Sequence, residues 1–414
     1  MHLSINFSGI LFSTLLLVSV SCSSNKSIRN PDVELLRQAQ QLAGEILITD
    51  GHIDFPYHFR HNYGSINESN ANVAIKSPRG EFDWIRAKEG GLDAPFMSIY
   101  IPASYQETGG AKALADSLID FVEEVITRFP DKYAPGRSPD EIEKNFEKGL
   151  ISLPMGMENG APIGDDLNLI NYFHERGIRY ITLTHSKWNL ICDSSYDLER
   201  KWNGLSPFGY DVIRRMNEVG IMVDVSHISD SAYYQVLKAT KTPVIATHSS
   251  CRHYTPDFER NMSDDMIQRL KENGGVIQIN FGSDFLDGEV SSNRKKFATA
   301  WAQYREEKGI DPSDTEQQKI FKSQFELPLY STVEKVADHI DHVVKLAGID
   351  HVGLGSDFDG VGDSLPEDLK DVSQFPNLIA ELIRRGYSQQ DLEKICYQNV
   401  WRVWKAVEEY AKRN

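Results

Sequence analysis

Residues 45–54 read EILITDGHID. The apolar run Ile46 to Ile48 reads as a strand, and it ends on a histidine and an aspartate two positions apart before Phe55 and Pro56 stop it. Alternate residues of a strand share a face, so His52 and Asp54 would project side by side from its end. Two ligands are offered to one metal ion in that way. An isolated H-x-D is more often a pair in a surface turn, so the rest of the chain must decide.

Seven further runs of the same kind follow: APFMSIYIP (94–102), ISLPMGMENG (151–160), IRYITLTHS (178–186), IMVDVSH (221–227), TPVIATHS (242–249), GGVIQINF (274–281) and DHVGLGSDFDG (350–360). Between most of them lie stretches with helical spacing. In STVEKVADHIDHVVKLAG, Val333, Val336, Ile340, Val343 and Val344 form one stripe, with Ser331 and Glu334 expected as a capping box and Gly348 as the stop. Strands alternating with helices imply a parallel sheet, and eight such units imply a closed (β/α)8 TIM-type barrel. The second-to-third and seventh-to-eighth connections are long enough to carry extra helices.

Active sites of this fold sit at the C-terminal ends of the strands. Strand one ends in His52 and Asp54, strand three in Glu158, strand four in His185, strand five in His227, strand six in His248 and strand eight in Asp357. Counting by twos places Ile181 and Leu183 on the face of His185, Val223 and Val225 on that of His227, and Val244 and Ala246 on that of His248, which predicts that all of these point inward. His174, His339, His342 and His351 fall on helices or at a strand start and read as structural. His58, His61 and His253 lie in top loops and stay open.

Three neutral imidazoles and two carboxylates suit zinc, with manganese or cobalt as alternatives. Five ligands exceed the three that a single catalytic zinc keeps, so two ions are expected. Glu158 would give one oxygen to each, His52 and Asp54 completing one site, His227 and His248 the other. A hydroxide between ions roughly 3.5 Å apart attacks carbonyls near neutral pH, which makes the protein a hydrolase. Asp357 is the expected general base and acid and His185 the donor to the oxyanion, while Asp359, the competing carboxylate of that motif, reads as a residue supporting the site from behind or a turn residue.

Other features bound the reading. With 414 residues, 44 Lys and Arg against 60 Asp and Glu give a net charge of -16, which repels phosphate backbones and excludes nucleic acid as a partner. Residues 1–21 read as a signal peptide of lipoprotein type, with acylation expected at Cys22 and export to a membrane facing the periplasm or cell surface. Residues 22–44 read as a tether and first helix, and 45–414 as one catalytic barrel. Cys192, Cys251 and Cys396 are left as free thiols.

The motifs DGHIDFPY, IRAKEGGLDAPFMSIYIP, MENG, YITLTHSKWN, VDVSHIS, TPVIATHSS, FERNMSDDMI and HVGLGSDFDGV, continuing into FPNLIAELIRRGYS, run in one order across residues 45–405. In this the chain resembles the membrane dipeptidases, also called renal dipeptidases. The resemblance implies a binuclear zinc peptidase that cleaves dipeptides and tolerates a D-residue at the C-terminal position. It implies zinc ligands at His52, Asp54, Glu158, His227 and His248, substrate contacts from His185 and Arg260, and acid/base chemistry at Asp357. A homodimer is left open. Lys187 stands where vertebrate members have cysteine, and one extra residue separates His248 from Arg260. The C-terminal EEYAKRN carries no glycolipid signal, so lipid at Cys22 is the expected anchor. The alternatives are another barrel metallohydrolase, such as an N-acyl amino acid deacylase, or a peptide-binding lipoprotein without chemistry. The first usually carries H-x-H on strand one, and the second would have no need of the full ligand set.

Overall fold

The structure is a computed structural model that describes residues 31–414. Eight strands form one sheet: β1 (Thr49–Ile53), β2 (Ala94–Tyr100), β3 (Met155–Glu158), β4 (Ile178–Thr182), β5 (Met222–Asp224), β6 (Ile245–Ser249), β7 (Val276–Ile279) and β8 (Val352–Leu354). They lie in chain order and each neighbouring pair is parallel. The sheet closes where Ile53 bridges Phe358, with Asp54 N donating to Phe358 O at 2.9 Å and Asp357 N to His52 O at 3.0 Å. This is the (β/α)8 barrel expected from the alternation of runs.

The third run is two strands. Pro154 has no N–H for a ladder and divides it, leaving Ile151–Leu153 to pair with Tyr133–Pro135 outside the barrel. The long connections carry the extra helices: Ala111–Arg128 and Pro139–Phe146 between β2 and β3, and Gly288–Lys308 and Thr315–Ser323 ahead of Val333–Ala347 between β7 and β8. The capping box at Ser331 does not form. Thr332 is the N-cap of Val333–Ala347, without a side-chain cap bond, and the buried Ser331 N donates to Ser283 Oγ instead. Gly348 ends that helix as expected, at φ 98°.

The parity expected from counting by twos is reversed. Tyr180, Met222, Ile245 and Val276 share one cluster with Leu47, Ala94, Phe96 and Trp404, whereas Ile181, Leu183, Val223, Val225, Val244 and Ala246 pack in the cluster that joins sheet and helices. Tyr180 marks which side is the interior. Its ring fills the place of a Cβ on Gly156, which would lie 1.9 Å from it, and its hydroxyl crosses to His52 Nδ1 of β1 at 2.9 Å. The helix Asn399–Arg413 closes the lower end, with Trp404 against Phe96 at 5.4 Å between ring centroids.

The helix Pro31–Ala43 packs on Phe375–Arg384. Among the described residues no helix is long and apolar enough to cross a membrane. The signal segment 1–21 and Cys22 lie outside the described residues. Cys192, Cys251 and Cys396 are buried and free.

Candidate metal centre

All eight strand ends contribute to one mouth, but by different backbone routes. His52 lies within a register irregularity between Asp50 and Ile53, and His248 within one between Ala246 and Ser249. Glu158 ends β3 on the inward parity of Gly156. His185 and His227 lie beyond the ends of β4 and β5, and the chain turns back through a left-handed residue at His227 (φ 70°). Asp357, beyond β8, is also left-handed (φ 63°). Such a conformation is uncommon for a residue with a Cβ and stands out where side chains must be aimed.

Glu158 is the hub. Its Oε1 lies 3.0 Å from His227 Nε2 and 3.2 Å from His248 Nε2, and those two nitrogens are 2.8 Å apart. Its Oε2 lies 3.5 Å from His52 Nε2, which is 3.6 Å from Asp54 Oδ2. Each oxygen thus faces its own set of ligand atoms. A tetrahedron with metal bonds of 2.0–2.1 Å has edges of about 3.3 Å, so the first triangle is slightly tight and the second slightly open for zinc. His52 Nε2 and Asp54 Oδ1 are buried with no hydrogen-bond partner. The donor set, its spacing and these orphaned atoms fit a pair of divalent cations.

The electrostatics agree. Burial would raise the Glu158 carboxyl, but the surrounding imidazoles, His52 and His185 foremost, outweigh it and hold it well below the usual carboxylate range. Burial, with positive charge nearby, pushes His227 and His248 well below the usual histidine range and so keeps them neutral, the form that ligates metal. Burial also opposes charge on His52, but Tyr180, Glu158 and Asp54 raise it well above its ordinary value, so the pocket draws positive charge. Burial pushes Asp357 up to about 8, with Asp54 and Glu158 adding to the rise and His52 opposing it. Asn280 Nδ2 donates to Asp357 Oδ2 at 2.8 Å, and Asp357 stays within ligand reach of His52 and Asp54.

The cleft above these residues has a volume of about 570 Å³ and aromatic walls, Tyr57, Tyr100, Tyr196 and Phe285. His185 lines it at 3.8 Å from Glu158 Oε1, its ring edge-on to Tyr100. Arg260 is only 3% exposed, Nη1 donating to Ser249 Oγ at 2.6 Å and Nη2 to His248 O at 2.8 Å, with Nε unpartnered. A larger groove of about 680 Å³ beside Trp188 and Leu190 contains none of the candidate ligands. Sequence reasoning missed Tyr100 and Asn280, although both are polar ends of apolar runs. It also missed Tyr180 and Thr247, whose hydroxyls face His52 and His248. Nothing in the local sequence signals those two.

Residues 36–414 match the family model described as membrane dipeptidase, peptidase family M19. The chain belongs to the membrane dipeptidase family. As a member of that family it is a hydrolase of dipeptide peptide bonds with a metal cofactor. Dipeptidase verJ of Clonostachys rogersoniana is 34% identical over 388 residues, covering 91% of this chain and 88% of that protein. Among solved structures, the probable dipeptidase PvdM from Pseudomonas aeruginosa is 28% identical with a TM-score of 0.77, covering 92% of this chain and 100% of that one. A metallo peptidase from Rhodobacter sphaeroides, solved with a phosphinate mimic of the dipeptide L-Ala-D-Ala, is 23% identical with a TM-score of 0.71 over 87% of this chain and 99% of that one, and shares the fold.

Proposed function

We propose that this membrane dipeptidase family member is a binuclear zinc dipeptidase. His52 and Asp54 would hold one ion, His227 and His248 the other, with Glu158 giving an oxygen to each. The observation that carries this reading is the division of Glu158, one oxygen at 3.0 and 3.2 Å from two imidazoles and the other at 3.5 Å from a third. When bound, two such ions supply a nucleophile activated near neutral pH and polarise the scissile carbonyl.

The chain's own groups do the rest. Asp357, steadied by Asn280 at one oxygen, takes the proton of the nucleophile and returns it to the leaving nitrogen. His185, kept uncharged chiefly by burial, donates an N–H to the carbonyl oxygen as negative charge develops there. Arg260 keeps its Nε and spare Nη protons for the substrate's C-terminal carboxylate, while Ser249 and the His248 carbonyl fix its plane. A carboxylate anchor on one side of the scissile bond favours dipeptides, and recognition through that group rather than through the side chain agrees with tolerance of a D-residue there.

The reading extends to export through residues 1–21, lipid at Cys22, a tether over 22–44 and attachment to a bacterial membrane. A Cys22→Ala chain should then appear in the soluble fraction while the wild type sediments with membranes. The enzymatic reading is tested with a panel of dipeptides, D-residues included, assayed with and without a chelator alongside zinc analysis. Turnover that is lost with chelator and restored by zinc is expected. Hydrolysis that continues in the chelated protein would sink the reading.

A further inference from the structure

We propose that Asp224 is a positioning residue of the metal centre, acting through the hydroxyl of Thr247 to keep the proton of His248 on Nδ1. The inference rests on the reading of His248 as a ligand. Asp224 ends β5 with no exposed surface and touches none of the candidate ligands itself. Its Oδ1 accepts the backbone N–H groups of Ser226 and Thr247, each at 3.0 Å. Its Oδ2 accepts the hydroxyls of Thr182 at 2.5 Å and Thr247 at 2.7 Å. All four donors are neutral, and they are what makes burial of the carboxylate tolerable.

The consequence follows from counting protons. A threonine hydroxyl has one proton to give, and that of Thr247 goes to Asp224. His248 Nδ1 lies 2.8 Å from the same Thr247 oxygen, which has only lone pairs left, so Nδ1 must be the donor. A neutral imidazole carries one N–H. Nε2 is therefore bare where it faces Glu158 Oε1 at 3.2 Å and His227 Nε2 at 2.8 Å. The opposite tautomer would point a proton into the centre. Groups of this kind orient a ligating histidine and typically change metal affinity about 10- to 100-fold when altered.

Asp224→Asn tests this because the orientation of the new amide is forced. Its oxygen must stay on the two backbone N–H groups, so its NH₂ faces the hydroxyls of Thr182 and Thr247. Thr247 then accepts from the amide, its own proton turns to His248 Nδ1, and the imidazole proton moves to Nε2. Nitrogen-15 NMR of histidine in the metal-stripped protein should show that tautomer change. Cobalt(II) titration of the stripped protein, followed by visible absorption, should show one of two ions weakened about 10- to 100-fold and the other unchanged. Thr247→Val should likewise weaken one ion about 10- to 100-fold, and Thr247→Ser, which keeps the hydroxyl, should restore it. These last two variants keep the proposal testable if Asp224→Asn does not fold. Wild-type affinity for both ions in Thr247→Val, equal weakening in the Val and Ser variants, or an unchanged His248 tautomer in a folded Asp224→Asn overturns the proposal. A wild-type chain that takes up no divalent ion overturns the parent reading, and is distinguishable because no variant is needed to see it.

Discussion

His227 Nε2 and His248 Nε2 stand 2.8 Å apart, and both face the same oxygen of Glu158. With Nδ1–H of His248 turned to Thr247, at least one of these nitrogens presents a lone pair to the other and to a carboxylate. A cation among them would convert that crowding into attraction. On the proposed reading, Glu158 is the residue on which both halves of the centre depend.

Replacing Glu158 by glutamine keeps the shape and removes the charge shared by both ligand sets. Metal analysis of Glu158→Gln should find at least one ion lost together with nearly all turnover. Two retained ions and normal turnover would rule out the shared role.

Asp357 lies within ligand reach of His52 and Asp54, so proton transfer and metal binding must be separated. As a proton carrier, Asp357→Asn should keep both ions and lose turnover by roughly 10²-fold or more. Loss of metal from the folded variant would make Asp357 a ligand.

Arg260 is expected to measure substrate length through the C-terminal carboxylate. Arg260→Ala should lose far more kcat/KM on dipeptides than on dipeptide amides, which lack that charge. Because the same guanidinium holds the His248 carbonyl, metal content must be checked alongside. Equal losses on both substrates, with metal retained, would reduce Arg260 to a support for β6.

Asp93 lies buried ahead of β2, accepting from Ile48 N at 3.2 Å with Lys88 3.8 Å away, and burial pushes its carboxyl up to about 7. The folded state therefore holds a proton that the unfolded chain releases near its ordinary value of 3.8. Stability from this group is present below that value and is lost as pH rises towards 7, by about 1.4 kcal/mol per unit inside the window. Asp93→Asn should flatten that slope and melt above the wild type at pH 8. Parallel melting curves for the two proteins from pH 5 to 8 would contradict it.

The barrel and the gathering of candidate ligands at one mouth were legible because apolar runs stop on polar residues at the strand ends. What the runs could not convey was how each side chain reaches the mouth. β4 and β5 end three residues before His185 and His227, and the register irregularities in β1 and β6 enclose His52 and His248. Alternation holds only while the ladder is regular, so the candidate ligands were assigned to the mouth from the wrong face. The break at Pro154 was visible in the sequence as a proline inside a run. Arg260 came from the resemblance alone, since a lone arginine in a loop has no pattern. Asp224 and Tyr180 had no local signal because the side chains they reach, Thr182, Thr247 and His52, lie on other strands.

The helix Asn399–Arg413 has a consequence in time. It covers the lower end of strands that begin at Thr49, so a ribosome delivers the seal only after every candidate ligand and Asp357 have already been made. Until then Phe96 and Tyr180, the second of which holds His52 by its hydroxyl, are open to water from below. A chain stopped before Asn399 would carry the whole inventory of the centre without the packing that aims it. Competence for hydrolysis is thus coupled to the finishing of synthesis, and unfinished chains should be inert towards peptides around them.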